Sequence, residues 1–194
     1  MTIQIDDAGW GCMIGGVLIG CYRVETKEFY AWPIPVDRFQ GGAFSSRDYL
    51  SVAWVCAQAG LATLKREVSE PVQVCQGWVN QEIRRHLGVP GSKITGPFQA
   101  RIEQALLDYL HGLGFPYAGS TEEYGKLFFE SVRWLKGGNP NRRGMVSERV
   151  KVAKTGWATF SCYQDYPYRE AGQRAKALKA RTSLNRWRER EDYQ

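Results

Sequence analysis

The sequence predicts an α/β protein with a mixed five-stranded sheet flanked by helices. Short alternating apolar segments separated by turn residues fill the first 36 residues, which is typical of three consecutive antiparallel strands. Two further short apolar segments then alternate with longer ones whose apolar residues recur at helical spacing. At 194 residues the chain suits one domain, or one domain with an appendage, and can bury a sizeable core.

The three N-terminal strands are predicted from apolar alternation and from the turns between them. The first strand covers residues 2–8, and the second follows a glycine-rich break and runs to about residue 26. Residues 29–36 form the third strand. Its end is irregular at Pro33 and Pro35, because proline cannot donate to a sheet ladder.

Helices and strands alternate in the middle of the chain. Ser45 or Ser46 caps the first long helix, and Pro97 starts the last helix of this part. The predicted elements are a helix to about residue 66, a short buried strand over 72–76, a helix over 79–87, a strand over 92–95 and a helix over 98–113.

The remainder of the chain is predicted to be mainly helical. We expect a helix over 121–135, capped by Ser120 with Glu123, then a polar loop over 137–144, a helix over 145–160 and an exposed basic helix over 171–190. We divide the chain into a domain over residues 1–160 and a basic, helical C-terminal extension over residues 161–194.

Composition excludes several classes of protein. No apolar run approaches the roughly 18 residues of a membrane span, and no basic segment precedes an apolar one at the N-terminus, so a cytoplasmic protein is expected. Five cysteines without a C-x-x-C pair and two histidines argue against a disulfide framework and a zinc site. Any metal is expected to be held by carboxylates, which favours Mg²⁺ or Mn²⁺.

Two adjacent acids, Asp6 and Asp7, fall where the first strand ends and a glycine-containing loop begins. Functional groups often occupy such loops on a rigid scaffold. Neighbouring strand residues point to opposite faces, so both carboxylates reach one site only if the backbone bends after them. Gly9 and Gly11 permit such a bend.

The segment Asp6-Asp7-Ala8-Gly9-Trp10-Gly11 resembles the D-E-A-G-R-G opening of type 2 ribonucleases H. The likeness continues through Gly15-Gly16-Val17-Leu18, where that family has a Gly-Pro-Val-Val-like second strand. The predicted order of strands and helices is also that of the ribonuclease H-like fold. In the family the two acids bind catalytic metal, and the Gly-Arg-Gly segment lies along the RNA strand.

The resemblance implies that Asp6 and Asp7 are catalytic metal ligands and that Gly9, Trp10 and Gly11 contact nucleic acid. Two residues depart from the family pattern. Asp7 replaces the longer Glu, which shortens its reach to a metal. Trp10 replaces the Arg, which removes a charge beside the phosphate but leaves a ring that can stack on a base or fill the core.

A metal site of this kind needs carboxylates from distant segments. Glu148, at the start of a predicted helix, is the candidate for the last catalytic ligand, with a surface ion pair as the alternative. Asp48 is a further metal candidate, although acids in a first helical turn often serve only the helix dipole. Gln76 stands where the fourth strand should present an acid. Its amide oxygen can ligate but adds no charge.

Positive charge is concentrated near the C-terminus. The chain has a net charge of +6, and the part from Arg142 onwards carries 13 Lys and Arg against 6 Asp and Glu. This asymmetry is typical of a phosphate-binding surface, with a solvated charged helix as the alternative. Candidates for nucleic-acid contact are Arg142, Arg143, Lys151 and Lys154.

Three hypotheses follow. The first is a Mg²⁺- or Mn²⁺-dependent nuclease that hydrolyses phosphodiester bonds in RNA/DNA hybrid or branched DNA by two-metal-ion water attack. The second is a nucleic-acid-binding protein that keeps the fold without turnover, which Gln76 favours. The third is a structural or assembly module whose basic tail binds an acidic protein.

Overall fold

A computed structural model describes residues 1–119 and 124–191, with residues 124 and 181–191 described as backbone only. The strands and helices of this part are β1 (Ile3–Ala8), β2 (Val17–Arg23), β3 (Phe29–Ile34), α1 (Ala43–Ser46), α2 (Asp48–Thr63), β4 (Val72–Cys75), α3 (Gln81–Leu87), β5 (Gly91–Ser92), α4 (Pro97–Gly112), α5 (Tyr124–Leu135), α6 (Ser147–Val150), α7 (Phe160–Asp165) and α8 (Tyr168–Glu191).

The sheet is mixed and has β1 at its centre. The strand order is β3-β2-β1-β4-β5. β2 pairs antiparallel with both β1 and β3. β4 runs parallel to β1, and β5 runs parallel to β4. The predicted mixed five-stranded sheet, with three antiparallel strands followed by two more, is therefore confirmed.

Helices cover both faces of the sheet, and each face has its own core. Ile3, Ile5 and Ile19 pack with α2 and α3 on the face that we call the α2 face. Leu18 and Tyr22 pack with α4 on the opposite face, the α4 face. This alternation along the strands explains why both apolar sets of β2 are buried.

Two glycines let α4 lie close to the sheet. Gly20 pairs with Asp6 across β1 and β2, and a Cβ atom on Gly20 would lie 2.8 Å from Cδ1 of Ile102. A Cβ atom on Gly9 would lie 2.9 Å from Cδ1 of Leu106, and Gly9 has a φ of +98°. A side chain at either position would displace the Ile102 or Leu106 side chain of α4, so the two glycines allow α4 to pack closely over the end of β1.

The segment predicted as one helix over residues 145–160 is different in the structure. It forms the single turn of α6 and then an irregular segment before α7. Ala153 pairs with Ile14, and the Lys154 N–H donates to the Met13 carbonyl. Backbone groups in the middle of this segment therefore bond to the chain between β1 and β2, and the bonds within the segment form short turns, such as that from the Ala153 N–H to the Val150 carbonyl.

The remaining differences concern element ends. The first long helix begins at Asp48, because Arg47 has a left-handed backbone with a φ of +61° and separates α2 from α1. β2 ends at Arg23, and β5 has only two residues. The capping residues predicted at Ser120 and Glu123 lie outside the described residues.

The C-terminal helices are anchored to the main core. Phe160 and Tyr163 of α7 and Ala171 and Ala175 of α8 belong to the same buried cluster as α4. The predicted basic helix is present as α8, whose backbone continues to Glu191, and residues 192–194 lie outside the described part. No helix in the described ranges is both long and apolar enough to cross a membrane.

The close packing of the β1–β2 connection can be tested at Gly16. A Cβ atom there would lie 1.7 Å from the Ile34 carbonyl oxygen, which is sheet backbone and cannot move aside. We expect Gly16→Ala to lower the free energy of unfolding by about 3 kcal/mol in urea titration. Gly112→Ala, where nothing lies within 4 Å, is the control and is expected to be neutral or stabilising. Equal stability of the two variants would contradict this packing.

Candidate functional site

Asp6 and Asp7 lie at the end of the central strand but contact different groups. Asp6 is only 8% exposed, and one of its carboxylate oxygens accepts the Asp7 N–H at 2.8 Å. The Asp7 carboxylate accepts a hydrogen bond from Nδ2 of Asn80 at 2.8 Å. The bend that would bring both carboxylates to one site is absent, because the strand alternation continues to Ala8 and the two side chains face opposite sides of the sheet.

On the α4 face, Asp6 lies with Cys75 of β4 and Glu103 of α4. We call these three residues the strand-tip site. The Cys75 thiol is near enough to the Asp6 carboxylate to lower the pKa of Asp6 by hydrogen bonding, and the Glu103 carboxylate is near enough to raise it through its charge. β4 runs parallel to β1 with Ile5 opposite Val74, so Cys75 comes next to Asp6 at the same edge of the sheet.

The environment of the strand-tip site disfavours the ionised form of Asp6. Burial raises the pKa of Asp6, the hydrogen bond from Cys75 lowers it, and the negative charge of Glu103 raises it further. Burial and the contact with Asp6 raise the pKa of Cys75 to about 12, so the thiol remains a protonated donor at neutral pH. A cation between Asp6 and Glu103 would relieve this repulsion.

Glu103 and Cys75 were not among the residues expected from the sequence. Glu103 directly follows Ile102 and is half-buried beside the apolar stripe that α4 turns towards the sheet. An acid at the margin of such a stripe is the signal that could have identified it. No sequence pattern singled out Cys75. The predicted strand over 72–76 ended one residue later, at Gln76, whereas β4 ends at Cys75.

On the α2 face, Asp7 is part of a separate buried network. Burial and the charge of Asp6 raise the pKa of Asp7 to about 7, while Asn80, Arg84 and Lys154 act in the opposite direction. Asn80 is fully buried, and its Oδ1 atom has no hydrogen-bond partner. Asp7 therefore titrates near neutral pH within a partly buried polar cluster.

Lys154 is a structural residue and not a surface phosphate ligand. Its side chain is fully buried, and Nζ donates to the carbonyl oxygens of Gly9 at 2.7 Å and Cys12 at 2.6 Å. Burial lowers the pKa of Lys154 to about 8. This corrects the expectation of a phosphate contact, because the ammonium group fixes the chain between β1 and β2, residues 9–16, which we call the β1–β2 loop.

Trp10 fills an aromatic cluster instead of extending into solvent. Its ring lies about 6 Å from four others. Trp10 and Gly11 are partly buried, while Gly9 is buried beneath α4. Trp10, which stands where the family has Arg, therefore packs against other aromatic rings and keeps part of its surface accessible to solvent. The four rings belong to Phe39, Phe44, Tyr49 and Trp157.

The structure does not bring Glu148, Asp48 or Gln76 to Asp6. Glu148 is exposed and pairs with exposed Lys151 at 2.5 Å, and Asp48 is exposed in the first turn of α2. Gln76 is exposed, and its N–H donates to the Ser92 carbonyl on the β5 side. The residues expected beside Asp6 were Glu148 and Gln76, and the residues that the structure places there are Glu103 and Cys75.

Arg142 and Arg143 are exposed in the polar loop after α5. The Arg142 carbonyl accepts a hydrogen bond from Nζ of buried Lys136, which ties the base of the loop to the core. Arg142, Arg143 and Lys151 are all exposed, as a surface for nucleic acid requires. Their contact with nucleic acid stays a prediction.

The strand-tip site offers fewer ligands than a preformed metal cage. Within residues 1–119 and 124–191, no group of three or more His, Cys, Asp and Glu side chains is placed to hold a metal ion. Two carboxylates are nevertheless a suitable donor set for Mg²⁺, which keeps several waters and is often completed by substrate phosphates. The donor chemistry of Asp6 and Glu103 therefore fits a hard divalent cation.

Comparisons with known proteins were made at the level of families, sequences and structures. No family model, no curated protein and no solved structure matches this chain. The relation to ribonucleases H therefore stays a prediction from the N-terminal segment and the order of elements.

The titration of Asp7 predicts a pH-dependent stability. Because folding raises the pKa of Asp7 to about 7, its ionised form is disfavoured in the folded state, and stability falls as the pH rises from about 4 to about 7. Asp7→Asn keeps the acceptor for Asn80 and removes this loss. We expect the stability of the variant relative to the wild type to increase between about pH 4 and about pH 7, and to stay constant above that, in urea unfolding. Parallel pH profiles would contradict it, and exposed Asp48→Asn is the control.

The anchoring role of Lys154 can be separated from the effect of charge. Lys154→Met removes the ammonium donor from the Cys12 carbonyl and leaves the Gly9 carbonyl with only the Cys12 N–H, and we expect the free energy of unfolding to fall by about 2 kcal/mol. Lys151→Met removes the same charge from an exposed position and should cost less than about 1 kcal/mol. Chemical denaturation measures both. Equal losses would show that Lys154 does not hold the β1–β2 loop.

Proposed function

We propose that this chain is a ribonuclease H-like nuclease that uses Mg²⁺ or Mn²⁺ to hydrolyse phosphodiester bonds in RNA/DNA hybrid or structured nucleic acid. Asp6 and Glu103 are the proposed catalytic metal ligands. The observation that carries the proposal is the burial of Asp6 at the C-terminal end of the central strand, where the Glu103 carboxylate of α4 is near enough to raise its pKa.

The architecture supports this assignment. β1 to β3 form the antiparallel part of the sheet, β4 and β5 add the parallel part, and the intervening helices follow the order that the resemblance implies. Asp6 stands at the position of the first acid of the family motif, at the C-terminal end of the central strand. An acid from the helix after the fifth strand then faces it. This combination supports an active site at the strand tip.

The residues around Asp6 give it a defined orientation. The Asp7 N–H donates to the Asp6 carboxylate at 2.8 Å, and the Cys75 thiol lies on its β4 side, so protein groups orient the carboxylate. Glu103 is positioned by the close packing of α4 over Gly20. A divalent cation held there would act as a Lewis acid on a phosphoryl oxygen and lower the pKa of an attacking water.

A second candidate function follows from the neutral residue on β4. Cys75 occupies the position beside Asp6 where a third carboxylate would increase metal affinity, and its pKa of about 12 keeps it uncharged. A protein that binds nucleic acid through this fold without turnover would have the same arrangement. The cytoplasmic location expected from the sequence and the contacts of Arg142, Arg143 and Lys151 with nucleic acid remain predictions for either function.

Cleavage assays distinguish the two functions. The purified chain is incubated with hybrid, single-stranded and four-way-junction substrates, with Mn²⁺ or with chelator. We expect Mn²⁺-dependent cleavage that falls by about 100-fold in Glu103→Gln, the size typical of losing one electrostatic contact to a transition state. Glu148→Gln, an exposed acid, is the matched control and should retain full activity.

Two outcomes would overturn the nuclease proposal. Cleavage that survives both Asp6→Asn and Glu103→Gln would show that the strand-tip site is not the active site. Binding without cleavage, weakened by salt, would favour the second candidate function.

The missing carboxylate can also be added. Cys75→Asp would place a third acid beside Asp6, and without metal we expect its repulsion to lower the melting temperature. Millimolar Mg²⁺ or Mn²⁺ should then raise the melting temperature of the variant by about 5 °C, and that of the wild type by less. Gln76→Asp, at the exposed neighbouring position, is the control. A variant that does not respond to either cation would show that the site cannot hold one.

A further inference from the structure

A half-exposed tryptophan lies at the end of the sheet that carries the strand-tip site. Trp78 follows β4 in a one-turn 3-10 helix over residues 78–80, and it is 49% exposed. The other large hydrophobic side chains exposed to this degree in the described residues are aliphatic: Met1, Val24, Val55 and Val68. Trp78 therefore presents the large exposed aromatic surface of this part of the chain.

The ring of Trp78 is held in a fixed position although it is exposed. Its indole Nε1 donates to the hydroxyl of Tyr49 at 3.1 Å. Tyr49 is only 3% exposed and stacks between Phe39 and Phe44. Because the polar atom of Trp78 is already bonded, the surface left for a ligand is the flat face of the ring.

A positive charge accompanies this ring. The guanidinium carbon of Arg47 lies 5.5 Å from the centre of the Trp78 ring. No carboxylate pairs with Arg47 in the described ranges, so its charge is left for an anion. Arg47 also has a left-handed backbone with a φ of +61°, where glycine would be less strained.

The position of Trp78 links it to both acids at the end of β1. Cys75, three residues earlier, contacts Asp6, and Asn80, two residues later, contacts Asp7. Three residues of chain span at most about 11 Å, so Trp78 lies at the same end of the sheet as the strand-tip site, with its ring on the α2 face beside Tyr49. A nucleic-acid strand that passes Asp6 is thus within reach of the ring.

We propose that Trp78 and Arg47 form a stacking platform that holds an unpaired nucleotide of single-stranded nucleic acid at the end of the sheet that carries the strand-tip site. The ring face takes the base, and the guanidinium group takes the adjacent phosphate. Stacking of this kind tolerates any base, because every base has a flat face and the indole N–H is not available for readout. The inference rests on the proposed nucleic-acid function and assigns the surface that receives the strand.

The test measures binding alone, so that it does not depend on cleavage. Fluorescence anisotropy with labelled oligothymidine, oligouridine and a blunt DNA duplex is recorded in chelator. We expect single strands to bind more tightly than the duplex, and the two single strands show whether DNA or RNA is preferred. Trp78→Ala should weaken single-strand binding by about 10-fold or more, and Trp78→Tyr should keep most of it.

The contribution of Arg47 is tested with glycine, which suits its left-handed backbone and leaves the fold unstrained. Arg47→Gly should weaken binding and reduce the slope of log affinity against log salt by about one phosphate contact. Two controls remove similar groups elsewhere: Trp54→Ala, on α2, where the ring stacks on His86, and Arg38→Ala, which is exposed. Both should bind as the wild type does.

The outcomes separate the platform from the proposed function. Wild-type binding that is unchanged in Trp78→Ala would overturn the platform and leave the proposed function intact. Weakening by Trp54→Ala to the same extent would also overturn it, since the effect would not be local. A wild type that binds no nucleic acid in any form would overturn the proposed function and the platform together.

Discussion

The arrangement of the candidate site depends on the close packing of α4 against the end of the sheet. Gly20 and Gly9 leave no room for a side chain between the strands and Ile102 or Leu106. The helix axis is consequently near enough for Glu103 to act on Asp6 by its charge. Without this contact, the chain would present one buried acid at the strand end, and a cation would have no second ligand from a distant segment.

The two adjacent acids of the N-terminal motif have different environments for a simple geometric reason. Side chains alternate along a strand, and the strand continues past both of them. Asp6 therefore lies near the neutral thiol of Cys75 and the acidic side chain of Glu103. Asp7 lies near Asn80 and within range of the charge of buried Lys154. The first arrangement suits cation binding, and the second is an internal polar network that holds the β1–β2 loop.

The sequence predicts the order of elements and the place of Asp6 at the strand end better than it predicts the distant neighbours of Asp6. Periodicity locates strands and helices because it depends on local burial. It does not identify Glu103, since an acid beside an apolar stripe is usual on solvated helices. Lys154 was misjudged for a related reason: it lies among basic residues that are exposed, and only the folded chain shows its burial against Gly9 and Cys12.

The bonds from Lys154 to Gly9 and Cys12 join positions that are far apart in sequence. Contacts of such long range form late and slow the folding of a chain, because a large loop must close before they give any stabilisation. During synthesis, the first hairpin must therefore leave the ribosome well before the lysine that completes its turn. The glycine-rich end of β1, with Asp6 beside it, would acquire its final shape only after most of the polypeptide has been made.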